Sequence, residues 1–476
     1  MSSSVRSGWE IEYLSQDHAP RAGRQGPDWR HLVHRIPFVL TLLALGVSRL
    51  GAQSPEDQTA ASLRTITESV SSARLESTVR ALVGFGTRHT LSDTLSPTRG
   101  IGAARRWIRA EFERISAACG GCLEIQEVSE VFEGLPRVPG PTNVVSIVAI
   151  QRGTSDPHRY VLLSGDIDSR VSDIMNAVDS SPGANDNATG VAAVLESARV
   201  LSGHRFRGSI VYAALSGEEN GLLGGKTLAA LAQAEGWRMT AVVNNDMIGN
   251  VNGGDGVHDT TTVRVFSEGT SPIESDSARR ARRYTGGEVD GASRQLARYI
   301  KATAATALPE LDVWLIYRLD RFGRGGQHRP FADLGFPAVR LMEAHENYTR
   351  QHQDIRVEGG VAYGDVIEGI DFHYARKVTA LDAAVLASLS WAPEAPVGVR
   401  LRGAVQPAAT LSWLPPADSV AVAGYRVYWR RTDSPTWDHW KDVGTTTSHQ
   451  FDGLVVDNWF FGVASVSPEG FTSVVA

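Results

Sequence analysis

The sequence predicts an α/β domain, a mainly parallel or mixed sheet sandwiched by helices, followed by a C-terminal all-β sandwich. Three observations carry this. Short apolar runs alternate with helix-period segments from about residue 97 to 390. Those runs are near-continuous, as in strands buried on both faces, where half-exposed strands would alternate. After Trp391 the pattern changes to short alternating runs separated by turn residues. With 476 residues, the chain has room for two or three domains. The reading is an N-terminal extension (1–52), a main domain (53–391) and a terminal sandwich (392–476).

In RHLVHRIPFVLTLLALGVSRLGA (30–52), basic residues precede an apolar stretch from Ile36 to Val47, and small residues close it. That is the form of a secretory signal, too short to span a bilayer comfortably. It predicts a secreted, periplasmic or cell-surface protein, with an uncleaved anchor as the alternative. No other stretch reads as transmembrane. Residues 56–84 have helical spacing, and 97–116 form a clearer amphipathic helix with Ile101, Ala104, Trp107, Ile108 and Phe112 on one face. TNVVSIVAI (142–150) and RYVLLSG (159–165) read as strands, VAAVLESARVL (191–201) as a helix, and GSIVYAALS (208–216) as a strand. LLGGKTLAALAQA (222–234) is helical; MTAVVNNDM (239–247) and FPAVRLME (336–343) are strands; 370–389 is a closing helix. The stretch 251–335 carries no decisive pattern and reads as pocket-forming loops.

Composition excludes little but is useful. A formal charge of −6 gives no reason to expect nucleic acid or an anionic membrane as partner. The two cysteines, Cys119 and Cys122 in AACGGCLEI, are half a zinc-ribbon pattern without its second half. They read as a small disulfide or as two free thiols.

The chemistry lies at the strand ends. The run ending at 165 delivers Asp166 and Asp168, the next loop Asp186, the following strand Glu218 and Glu219, and the next Asp246. Singly, each acid reads equally as a helix cap, a first-turn acid or a turn residue. Together they crowd carboxylates onto the carboxyl edge of one sheet, where such sheets place their sites. Like charges there repel unless a cation neutralises them. Other chemistries lack their signatures. There is no G-x-S-x-G elbow, HENYT (345–349) lacks the second His of H-E-x-x-H, and DIDSRVSD has Arg170 where a calcium loop needs a ligand.

The ordered motifs GDIDSR, SPGANDNATGVAAVLE, ALSGEENGLLG and NNDMIGN resemble those of the co-catalytic zinc exopeptidases related to bacterial leucyl aminopeptidases. That relationship extends to glutaminyl cyclases and non-catalytic receptor ectodomains, and the likeness spans roughly residues 60–390. It implies two zinc ions per chain. Asp186 would bridge them, Asp166 and Asp246 would hold one, and Glu219 and His352 the other. Glu218 would be the general base, and Asp168 the acid beside the first ligand. The family has His where this chain has Asp166. A more anionic cluster would weaken the preference for zinc against manganese or similar ions. It would also leave Asp168 without a ligand's ring N–H to orient. His345 competes with His352 as the late ligand, and His328 reads as a pocket residue. Trp413 and the GYRVYWR strand resemble a fibronectin type III domain, with Phe460 or Phe461 at the usual corner tyrosine.

The resemblance implies an exported metal-dependent aminopeptidase acting on peptides, with Glu218 taking a proton from metal-activated water and Tyr348 a possible oxyanion donor. A carboxypeptidase or dipeptidase of the same superfamily, a glutaminyl cyclase (which resembles a single-zinc enzyme), and a binding protein with a degenerate site are the competing readings. The C-terminal sandwich reads as a spacer or as a module for attachment to a surface polymer.

Overall fold

A computed structural model describes residues 55–476. The signal-like segment at 30–52 lies outside the described residues. Among the described residues, no helix is long and apolar enough to cross a membrane.

The residues read as one helical segment near 56–84 form two helices, α1 (Pro55–Glu68) and α2 (Ser72–Gly84). Ser71 separates them: its hydroxyl accepts the Arg74 N–H and caps α2. Next come α3 (Gly100–Ala118), β1 (Leu123–Phe132), β2 (Thr142–Gln151), β3 (Asp156–Asp166), α4 (Thr189–Leu201), β4 (Gly208–Leu215), α5 (Leu223–Ala234) and β5 (Arg238–Asn245). The stretch expected to be loops is largely ordered, as β6 (Thr262–Ser267), α6 (Asp276–Thr285), α7 (Ala292–Ala307), β7 (Asp312–Ile316) and α8 (Arg329–Asp333). Then follow β8 (Ala338–Glu343), the small hairpin β9 (Arg356–Glu358) and β10 (Val361–Tyr363), and α9 (Phe372–Trp391).

Eight strands form one mixed sheet in the order β1-β2-β4-β3-β5-β8-β6-β7. Its centre, β4-β3-β5-β8, is parallel. Alternate residues of β3 face opposite ways, as strand geometry dictates. Val161 and Leu163 meet a core shared with α1, α2, α3, α4, α7 and α9, whereas Tyr160 and Leu162 meet α5 and α8. Both faces are thus covered, which explains the unbroken apolar runs. Cys119 and Cys122 are joined by a disulfide.

Helix α4 crosses β3 at backbone contact. A Cβ at Gly165 would lie 2.3 Å from the carbonyl carbon of Gly190, and one at Gly190 would lie 2.7 Å from the Asn245 carbonyl oxygen. Gly190→Ala is therefore expected to destabilise the protein by roughly 1–3 kcal/mol or more, since backbone cannot retreat as a side chain can. Denaturant unfolding at two protein concentrations checks this.

Asp382 of α9 is buried, and its carboxylate accepts from Asn245 Nδ2 at 2.6 Å. Burial pushes its pKa up to about 8. In the unfolded chain it ionises near 3.8. Between these values the folded state holds a proton the unfolded state has lost, so stability falls as pH rises from 4 to 8. Asp382→Asn removes that term. In denaturant unfolding at each pH, the variant is expected to lose less unfolding free energy than the parent between pH 5 and 8, by up to about 1.4 kcal/mol per pH unit.

Residues 392–476 form two three-stranded antiparallel sheets. One has the order β11 (Val397–Arg402), β12 (Ala408–Leu414), β15 (Ser448–Asp452). The other is β14 (His439–Gly444), β13 (Gly424–Arg431), β16 (Trp459–Val466). Trp413 packs edge-on against Tyr425 in their shared core. Phe461 packs on Phe451, and Phe460 lies against the Arg430 guanidinium. The segment does not stand apart from the main sheet's helices. Arg430 pairs with Asp290 at 2.6 Å, the Trp437 indole donates to Gln295 next to it in α7, and Phe471 joins the main core.

Candidate metal centre

The carboxyl ends of β3, β4 and β5 deliver Asp166, then Asp168, the Glu218–Glu219 pair and Asp246 to one place, and the loop before α4 adds Asp186. Three non-glycine residues with left-handed backbone cluster here: Leu222, Met247 and His352. Such conformations concentrate where a site over-determines its backbone.

Among the described residues, one group of three or more donors falls within the reach of a single ion: Asp186, Glu219 and His352, whose donor atoms all lie within 4.8 Å of one another. His352 Nε2 is 2.8 Å from Asp186 Oδ2 and 2.7 Å from Glu219 Oε1. Two carboxylates and an imidazole are the donor chemistry of a zinc site with room for a further ligand. Here the Nε2 proton occupies the space between the acids, where a cation would replace it. Burial lowers the His352 pKa, but Glu219 and Asp186 outweigh it and push it up to about 9. Burial alone would raise Glu219; His352 and Arg170 instead hold it well below the usual carboxylate range.

Arg170 is a residue the sequence reading passed over. Its Nε donates to Glu219 Oε2 at 2.7 Å, and its Nη2 meets His352 Nδ1 at 2.5 Å. It thereby fixes both side chains from behind. The only sequence cue was a cation two residues past Asp168, at a position considered solely as a failed calcium ligand.

Asp168 has found a role other than orienting a ring. It accepts from the backbone N–H groups of Glu218 and Glu219, at 3.1 and 3.0 Å, and from the Thr90 hydroxyl at 3.0 Å. It anchors the turn that presents Glu218, and is a positioning residue. Glu218 is partly exposed. Burial, followed by Glu219, Asp246, Asp166 and Asp186, holds its pKa well above the ordinary value.

The Asp186 loop is clamped from two sides. Asp365 accepts the backbone N–H groups of Asn185 and Asp186 at 2.8 and 2.7 Å. Arg88, fully buried, donates to the carbonyls of Ile167, Pro182 and Gly183. Neither residue stands in a strand-end motif, so neither was legible in advance.

Asp166 and Asp246 lie outside the three-donor group. Asp166 Oδ2 accepts from Asn187 Nδ2 at 2.8 Å. Asp246 Oδ2 is 2.8 Å from Arg340 Nη2. The competing histidines sit elsewhere. His345 Nδ1 pairs with Asp255 at 2.7 Å, and His328, fully buried, bonds the Leu319 carbonyl at 2.8 Å. Tyr348 is exposed on a cavity of about 630 Å³ that reaches His352 and is lined by Arg264, Arg318, Arg321 and Arg324.

The chain is similar to known proteins over most of this region. The profile of Peptidase family M28 matches residues 146–356. A probable zinc metalloprotease of Pyrenophora teres f. teres is 39% identical over 424 residues, covering 88% of this chain and 86% of the relative. One from Leptosphaeria maculans is 40% identical, covering 87% and 95%. In fold, the chain resembles the LapA aminopeptidase of Legionella pneumophila, with a TM-score of 0.51 and 17% identity over 70% of this chain and 76% of that one.

Proposed function

Because the chain belongs to peptidase family M28 and is a zinc metallopeptidase by that kinship, we propose that it is an exported aminopeptidase with Glu218 as general base. The observation that carries this is the convergence of Asp186, Glu219 and His352 beside Glu218. When bound, the ion supplies a Lewis acid that polarises the scissile carbonyl and acidifies water. Asp186, Glu219 and His352 would hold it. Glu218, adjacent to Glu219 and presented by Asp168, takes a proton from the attacking water. Its acid-rich surroundings favour keeping that proton until the leaving amine receives it. His352 and Arg170 favour the ionised form of Glu219.

A substrate entering by its protonated α-amine would meet Glu218, the partly exposed acid beside the three-donor group, as an acceptor. One observation favours a second reading. The cavity at His352 carries four arginines against one acid, Glu346. A substrate carboxylate would sit there, as in a carboxypeptidase or a dipeptidase. The Ile36–Val47 segment and the Cys119–Cys122 disulfide support export. The C-terminal sheets would serve as a spacer or a contact to a surface polymer.

Hydrolysis of free, N-acetylated and C-amidated versions of one peptide decides between the termini. The aminopeptidase reading expects the N-acetylated peptide to be spared and the C-amidated one cleaved, with activity lost on chelation and restored by zinc. The opposite pattern supports the second reading, and chelator-resistant cleavage contradicts both.

A further inference from the structure

The Asp166–Asp246 half of the centre does not fit a second metal ion, and we propose that the guanidinium of Arg340 stands there as a permanent internal cation. The chain would then hold one tightly bound divalent ion, on Asp186, Glu219 and His352. This rests on the metallopeptidase reading above.

Arg340 lies in β8, paired in register with Asn244 of β5, two residues before Asp246. Its side chain is 0% exposed. Asp320 holds Nη1 with both carboxylate oxygens, at 2.9 and 3.1 Å, and the Gly325 carbonyl accepts from the same nitrogen at 3.3 Å. Nη2 stands 2.8 Å from Asp246 Oδ2, an ion pair without hydrogen-bond alignment. The guanidinium is thus fixed, and Glu218 also lies in its field. Arginine does not give up its proton in proteins, so this charge is always present.

Two further features point the same way. First, among the described residues, Asp166 and Asp246 are not joined by a third donor within one ion's reach, unlike Asp186, Glu219 and His352. Second, an ion held by Asp246 would face the Arg340 guanidinium, 2.8 Å from that carboxylate, across a low-dielectric interior, where cation–cation repulsion is strong. At Asp246 the buried guanidinium takes the place beside the carboxylate that a second ion would otherwise hold.

The test is zinc content per folded chain, by elemental analysis after loading and dialysis against a weak chelator. We expect one zinc in the parent, one in Asp166→Asn, and less than 0.2 in Glu219→Gln, which corresponds to a loss of affinity of about 40-fold or more at the dialysis end-point. Asn at 166 can still accept from Asn187, so the variant keeps its fold; circular dichroism confirms it. Asp246→Asn, which leaves Arg340 paired with Asp320, is also expected to keep one zinc. Two zincs in the parent, falling to one in Asp166→Asn or Asp246→Asn, overturn the inference while leaving the metallopeptidase reading intact. No zinc in the parent removes that reading, and this inference with it.

Discussion

Glu218→Gln is expected to lower kcat by about 100- to 10,000-fold on an unblocked peptide, the range for loss of a general base, while KM and zinc content stay near parental. Glutamine preserves the shape of the side chain and its place on the turn held by Asp168. It cannot accept the proton. Burial, followed by the charges of Glu219, Asp246, Asp166 and Asp186, favours the protonated form of Glu218. Steady-state kinetics with elemental analysis of the same preparation separates this from metal loss. Parental kcat in the variant would remove Glu218 from the reaction.

His352→Ala is expected to weaken zinc binding by more than the roughly 10- to 100-fold typical of losing a partner behind a ligand, and to abolish turnover at micromolar zinc. The imidazole is the only nitrogen donor in the group of three, and its removal leaves Asp186 and Glu219 as the remaining donors. Arg170 would keep its pair with Glu219 but lose its contact to His352 Nδ1. Competition with a fluorescent zinc chelator reads the affinity directly. Unchanged affinity would move the late ligand elsewhere, with His345 the nearest alternative in sequence, although it is engaged with Asp255.

The parallel centre of the sheet was legible because β3, β4, β5 and β8 are buried on both faces and therefore carry apolar runs along their middles. Strand β1 was not, because only Leu123 and Val128 are buried along this edge strand and LEIQEVSEVF reads as polar. Helix α7 was passed over although Leu296, Ile300 and Ala304 recur at helical spacing, because arginines and threonines between them dilute the pattern. At the site, the acids were legible because each follows an apolar run. Arg170, Arg340, Arg88 and Asp365 were not, since each acts through contacts between distant segments: Arg88 on the loop at 182–183, Asp365 on the amides of 185–186. A buried arginine inside a strand pattern such as AVRLME is, in retrospect, a cue that an acid must lie across from it.

The most direct test of the whole account is anomalous diffraction at the zinc edge from crystals of the zinc-loaded protein. The expected result is one strong peak about 2.0–2.2 Å from an oxygen of Asp186, an oxygen of Glu219 and His352 Nε2. A peak that avoids these three residues, or none at full zinc loading, would contradict it.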